Sequence, residues 1–200
     1  RTAGDVIVIA ADVFTDGHDE ISCQLLYRKL GDATWQAVPL RPNYNDRWDG
    51  EFTVAEVGRY QYTVEAWVDH FKSWIRDLKK RLAAGQDVAV DLIIGADLVA
   101  SAVKRAAGKD SLWLAEWQQA LRGGGDVVAR LQSGGADELL SVMQRYPDKR
   151  FASRFDATLE VVVDRERARF SAWYELFPRS TSPEPGRHGT LADCAARLPY

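Results

Sequence analysis

Cysteine is scarce in this sequence: Cys23 and Cys194 are the two among 200 residues, and they stand far apart. A pair so placed makes neither a disulfide framework nor a metal-ligand spacing, so two reduced thiols in a cytoplasmic protein are expected. No apolar run approaches the roughly 18 residues of a membrane span. No basic-then-apolar leader opens the chain either, so neither membrane insertion nor secretion is indicated. Charge of one sign is not in excess: 26 Lys and Arg against 29 Asp and Glu leave a formal net charge of −3. That removes the broad cationic field of a nucleic-acid binder. Phosphate loops, serine elbows and dinucleotide fingerprints are missing as well; "GGGD" from Gly123 lacks the Lys-Ser/Thr that would follow in a phosphate loop. No metal site and no cofactor is expected.

Histidine is also rare. His18 lies in the turn "DGHD", His70 beside Asp69 at a strand-to-helix junction, and His188 in a Pro/Gly-rich stretch. Turn and capping roles explain them better than acid/base chemistry, since none has a spaced partner. The run "RDLKKR", Arg76 to Arg81, reads as the solvated face of a helix.

What the chain does have is hydrophobic content of 46% beside 28% charge, and seven tryptophans. From Val6 to Trp67 short strands alternate with turn signals about every ten residues. In "ISCQLLYRK", Ile21, Cys23, Leu25 and Tyr27 share a face; in "RYQYTVEAW", Tyr60, Tyr62, Val64 and Ala66 do. The period then lengthens to about 3.6. "DHFKSWIRDLKKRLAAG" has Asp69 to cap its start and Gly85 to end it, and two more long helical patterns run to Gly108 and to the glycines at Gly123. Shorter helices are predicted around Val127–Leu131 and Asp137–Tyr146. Alternation returns in "FDATLEVVVD", with Leu159, Val161 and Val163 inward, and in "RARFSAWYELFPRS", Arg167 to Ser180.

The predicted fold is therefore α+β and multidomain: a seven-stranded immunoglobulin- or fibronectin-like β-sandwich with an inserted helical bundle. Residues 1–68 and 152–180 make the discontinuous sandwich, 69–151 the insert, and 181–200 an extended connector. Because the chain opens on Arg1 rather than Met, a piece of a longer protein is expected.

Two strands set an indole on their polar side. Trp67 shares its face with Gln61, Thr63 and Glu65, and Trp173 shares one with Arg169 and Glu175, with Phe177 following. Such rings stack on sugars, so a carbohydrate-binding surface is one reading; packing against the insert or another domain is the other and the better supported. Trp67, Trp173 and Phe177 are the candidate carbohydrate or interface residues. No residue is a catalytic candidate, for want of a convergent acid/base set.

The stretches "VFTDGHDEISCQLLYR", "DRWDGEFTV", "GRYQYTVEAWVDHFKSW", "KRLAAGQDV", "DRERARFSAWYELFPRS" and "HGTLADCAARLPY" resemble the N-terminal region of bacterial maltose-1-phosphate maltosyltransferases, members of the alpha-amylase family. The resemblance covers nearly the whole chain. It implies a multidomain enzyme that moves maltosyl units from α-maltose 1-phosphate to α-1,4-glucans with retention. It also implies that the aspartate nucleophile and glutamate acid/base lie in a barrel beginning after Tyr200, so that no catalytic residue falls here. A sandwich with a helical insert, contributing to a homodimer and packing on its own barrel, is the implied role. A glucan-binding module using surface tryptophans is the alternative.

Overall fold

The computed structural model describes residues 1–124, 126–171 and 175–198. Eight strands occur among them: β1 (Val6–Asp12), β2 (Ile21–Lys29), β3 (Gln36–Pro39), β4 (Arg41–Pro42), β5 (Arg47–Thr53), β6 (Gly58–Val68), β7 (Ser153–Arg154) and β8 (Leu159–Val163). They form two antiparallel sheets. One has the order β1-β5-β4; the other has β3-β2-β6-β7, with β8 also pairing β6. The pleat turns Ile7, Trp48 and Phe52 of the first sheet toward Cys23, Leu25 and Tyr60 of the second, and these side chains share one apolar core with Val54 and Val163. Tyr27 stacks on Phe52 with ring centroids 4.3 Å apart. The inward sets expected for β2 and β6 are the ones that face this core.

Among the described residues there are six α-helices, the first five where helices were expected: α1 (His70–Ala83), α2 (Ala89–Val103), α3 (Gly108–Gly123), α4 (Val127–Arg130), α5 (Ala136–Met143) and α6 (Leu191–Arg197). Asp69 caps α1 by accepting from the Lys72 N–H at 3.0 Å, as its position predicts. A second core gathers Trp74, Leu78, Val99, Leu114, Trp117 and Leu139, all from residues between 71 and 146. Gly95 allows α1 and α2 to close on each other: a Cβ there would lie 2.0 Å from Cζ2 of Trp74. Between α4 and α5 the chain kinks at Gly134, which takes φ 108°, a conformation that side-chain-bearing residues rarely adopt.

Two sequence expectations fail in the last fifth of the chain. The strand predicted from Arg167 is absent from its described part: Glu166–Arg169 is a 3-10 turn, Phe170, Ser171 and Glu175–Phe177 are outside any strand, and Pro178–Thr181 is a second 3-10 turn. Alternation alone does not make a strand, because its backbone groups need a neighbouring edge. Here Arg169 instead reaches back to Thr2 and Asp5, and Phe170 is left 80% exposed. Among the described residues the strands are therefore a different set from the seven expected, with the two-residue β4 and β7 added and no strand in the described part of Arg167–Ser180. Within β8, Val163 is buried as expected, whereas Leu159 at the far end is exposed. The 181–200 stretch is not wholly extended either. Thr190 and Asp193 form a reciprocal capping box that starts α6.

Candidate functional site

The second face of the β2-β6 pair raises the main question of the sequence, namely what covers an indole on a polar strand surface. The antiparallel register places Ser22 opposite Trp67, Gln24 opposite Glu65, Leu26 opposite Thr63 and Arg28 opposite Gln61. All of these lie on the side away from the sheet core. Glu65 is the hub of the polar part. It accepts from Gln24 at 2.7 Å and from Lys149 and Arg154 at 3.0 Å each. Burial by itself would raise its carboxyl, but the hydrogen bonds and charges of Lys149 and Arg154 outweigh that and hold it below the usual carboxylate range.

Trp67 is half-buried, with the Lys149 ammonium 4.6 Å above its ring centroid. Its indole nitrogen is buried without a hydrogen-bond partner. The ring lines a cleft of about 350 Å³ where the end of β6 and the start of α1 meet α2 and α5. The apolar floor consists of Trp67, Phe71, Leu98, Leu140 and Met143, and the polar rim includes His70, Asp97, Ser101, Arg105 and Gln144. Leu98 of α2 and Leu140 and Met143 of α5 line this cleft together with Trp67.

Polar bonds join the two cores along one side of this cleft. Ser22 donates its hydroxyl to Asp69 at 2.7 Å, and the Glu20 N–H donates to the Ser73 hydroxyl at 2.8 Å. Arg76 donates to the Glu20 carboxylate and to the His18 carbonyl, both at 2.7 Å. Asp77 and Glu20 together raise the Arg76 guanidinium above its ordinary value. His18 therefore serves through its backbone. The basic run of α1 is matched by carboxylates: Lys79 with Asp137 and Arg81 with Asp91 join the Arg76 pairs. That is the solvated face expected of it, with carboxylates now seen beside its cations.

Of the other two candidates, only Phe177 is among the described residues, and it is not part of this cleft. Phe177 sits at the start of a 3-10 turn and is 72% exposed. Trp173 lies outside the described residues. Sequence reasoning missed the rim side chains Asp97, Ser101 and Gln144. Each looks like an ordinary polar position on an amphipathic helix, and only the docking of α2 and α5 on the β6 end draws them together. Among the described residues no three His, Cys, Asp or Glu side chains are grouped so as to hold a metal ion, and no helix is long and apolar enough to cross a membrane.

Comparison with known proteins matches residues 1–165 to the model of the alpha-1,4-glucan:maltose-1-phosphate maltosyltransferase N/S domain. Among curated proteins, the maltosyltransferase of that name from Chlorobaculum tepidum is 45% identical over 199 residues, covering 100% of this chain and 30% of its own length. Those from Myxococcus xanthus and Methylacidiphilum infernorum are 39% and 36% identical, again over 100% of this chain and 31% and 30% of their lengths. The chain thus spans about 30% of the length of the curated relatives it matches, at their N-terminal end.

Proposed function

The chain belongs to the alpha-1,4-glucan:maltose-1-phosphate maltosyltransferase family, and from that premise we propose that it is the non-catalytic N-terminal part of such an enzyme, a scaffold for its catalytic region and for a second subunit. The reaction itself, transfer of maltosyl units from maltose 1-phosphate to α-1,4-glucans by retaining alpha-amylase-family chemistry, belongs on this reading to a barrel outside these 200 residues. The working location is the cytoplasm, where a phosphorylated sugar donor is available.

The observation that carries the scaffold reading is the distribution of exposed apolar side chains. Phe151, Phe155, Val162, Phe170, Phe177 and Leu198 are each more than half exposed, and they fall in the last quarter of the chain. Isolated exposed apolar residues are ordinary, and Val8, Phe14, Tyr44 and Leu112 are exposed elsewhere, but this many large ones within the last fifty residues support an interface there. We assign this set to the catalytic region. A separate pair, Val90 and Ile93 at the start of α2, is also more than half exposed and is the surface we assign to the homodimer. The two packed sheets are read as an immunoglobulin-like sandwich formed by residues 1–68 and 152–180, with 69–151 as its helical insert and 181–200 as the connector.

The test is direct. The 200-residue chain, given maltose 1-phosphate and a maltooligosaccharide acceptor, should release no phosphate; release would sink the proposal. In the full-length enzyme, Ile93→Glu should shift the sedimentation coefficient from dimer to monomer while leaving the fold intact. An unchanged coefficient would remove α2 from the interface.

A further inference from the structure

We propose that the free edge of β1 is a strand-docking site, filled in the full-length protein by an extended segment of the catalytic region that pairs with Val6–Asp12. The identity of the partner rests on the scaffold reading; the mode of docking rests on the edge. In the β1-β5 ladder the Val13 N–H donates to the Asp46 carbonyl and the Val54 N–H to the Asp5 carbonyl, and the register runs unbroken between those two pairs. Bonding alternates along an antiparallel ladder, so the odd-numbered residues of β1 bond to β5. The N–H and C=O groups of Val6, Val8, Ala10 and Asp12 point the other way, where no strand stands among the described residues.

The other edges of the two sheets are blunted. β4 and β7 have two residues each, and β3 has four and ends on Pro39. The outer side of β8 is met by Arg1–Ala3: Asp164, next after β8, donates to the Arg1 carbonyl and accepts from the Ala3 N–H. β1 is long and has none of these devices, for Val6 to Ala11 reads "VIVIAA", without charge, proline, glycine or bulge. An uncovered edge of that composition is a template for pairing with a further segment.

The space beside the edge fits a strand. A groove of about 580 Å³ opens between β1 and the side of the other sheet formed by β6, β7 and β8, with Ile9, Val13, Tyr62, Val64, Phe155 and Leu159 in its lining. Leu159 shares the inward face of Val161 and Val163 yet is 43% exposed, because the three-stranded sheet stops at β1. One more strand, about 4.8 Å beyond β1, would lie over Leu159 and turn every second side chain into the groove. Of the charged groups there, Arg154 is bonded to Glu65 at 3.0 Å and Asp12 to Arg47 at 3.4 Å, with Asp156 at the rim. Apolar side chains at the alternate positions are therefore what the groove takes. Phe155 belongs both to this groove and to the apolar set assigned to the catalytic region, and the greater part of the relatives' length lies outside the part this chain matches. A second copy has its own assigned surface at Val90 and Ile93.

Residue-resolved hydrogen exchange on the 200-residue chain and on the full-length protein tests the proposal. The amides of Val6, Val8, Ala10 and Asp12 should exchange fast in the short chain and be slowed roughly a hundredfold in the full-length protein, while those of Ile7, Ile9 and Ala11 are slow in both. Unchanged exchange at the four even positions would overturn the site. Slow exchange there already in the short chain would overturn the partner, since a second copy or the chain's own Arg167–Ser180 would then hold the edge. Val8→Pro removes one outward N–H at an edge position that tolerates proline. The short chain should keep its spectrum, and the full-length variant should lose the added protection at Val6, Ala10 and Asp12; protection equal to the parent's would overturn the pairing. The scaffold reading is decided separately, by phosphate release and sedimentation.

Discussion

The helical core and the sheet core are built from the same kinds of side chain but over very different spans of sequence. Every buried member of the helical core lies between residues 71 and 146, whereas the sheet core joins residues 7–60 to Val163 across the whole insert. Closing a long loop costs entropy before the contacts at its ends repay it, so the helical core should form early and on its own terms. The sheet core must wait for β8. Yet the insert does not disturb the sheet, because it leaves and returns at one point: Ala66 of β6 pairs with Ser153 of β7. Between the cores run polar bonds and one half-buried indole.

The strongest way to break this contrast is to remove the insert. Replacing residues 70–149 with a short Gly/Asn loop should leave a folded two-sheet protein, since the adjoining strand ends are already neighbours. A dispersed amide spectrum with the Leu25 and Phe52 resonances in core positions is the expected result. A collapsed spectrum would show that the sheets depend on the helices.

Trp117→Ala should cost roughly 3–5 kcal/mol, as for a large aromatic removed from a packed interior. The ring is fully buried, stands 5.8 Å from Trp113 and has the Arg130 guanidinium 3.8 Å from its centroid. The loss should be confined to the helices. Cys23 provides the check, because it sits in the sheet core and burial pushes its thiol up to about 11. If the cores are independent, Cys23 stays as slow toward a thiol reagent in the variant as in the parent, while Cys194 reacts in both.

A milder test of the same core is Gly95→Ala. The added methyl would lie 2.0 Å from Trp74 Cζ2, and moving that ring strains its 2.7 Å hydrogen bond to the Asp91 carbonyl. Overpacking of this kind costs about 1–3 kcal/mol. Chemical denaturation should show a lowered midpoint; an unchanged one would mean that α1 and α2 separate freely.

Acid should loosen the seam before it unfolds either core. Glu65 is held below its usual value of 4.5 by Lys149 and Arg154 against the opposing effect of burial. A depressed carboxyl contributes stability at pH values above the unfolded value and loses it as pH falls through the folded one. Thermal midpoints should therefore drop on acidification below about pH 4.5. Glu65→Gln should flatten part of that drop. The smallest effect is expected from Arg76→Ala, which removes the bonds to Glu20 and His18 from a partly solvated pair. It should change amide shifts on both sides of the cleft and lessen the salt dependence of stability, with little change in the midpoint.

Much of this was legible in the residues. Alternation in "ISCQLLYRK" and "RYQYTVEAW" gave β2 and β6 nearly to their ends, and the Asp69 cap gave the start of α1. The same alternation misled at "RARFSAWYELFPRS", because a pattern records which faces a strand would have and says nothing about whether an edge is there to receive it. The capping box at Thr190 and Asp193 was readable, being a local signal of the form T-x-x-D, and α6 follows from it.

For Trp67 the division is sharpest. Its polar-side placement is a matter of counting by twos along β6, and the register with Ser22 confirms the count. That the indole lines a cleft with Leu98, Met143 and Gln144 follows from no local rule. Periodicity fixes the face of each element on its own axis, where same-face neighbours are two to four residues apart in sequence. Which faces meet depends on how two cores settle against each other, and long-range polar bonds such as Ser22 to Asp69 and Arg76 to Glu20 form only once they have done so. The sequence by itself determined most of the elements, the inner faces of β2 and β6, and the family; the tertiary structure alone decided that a sheet's polar face and two helices would line a common cleft.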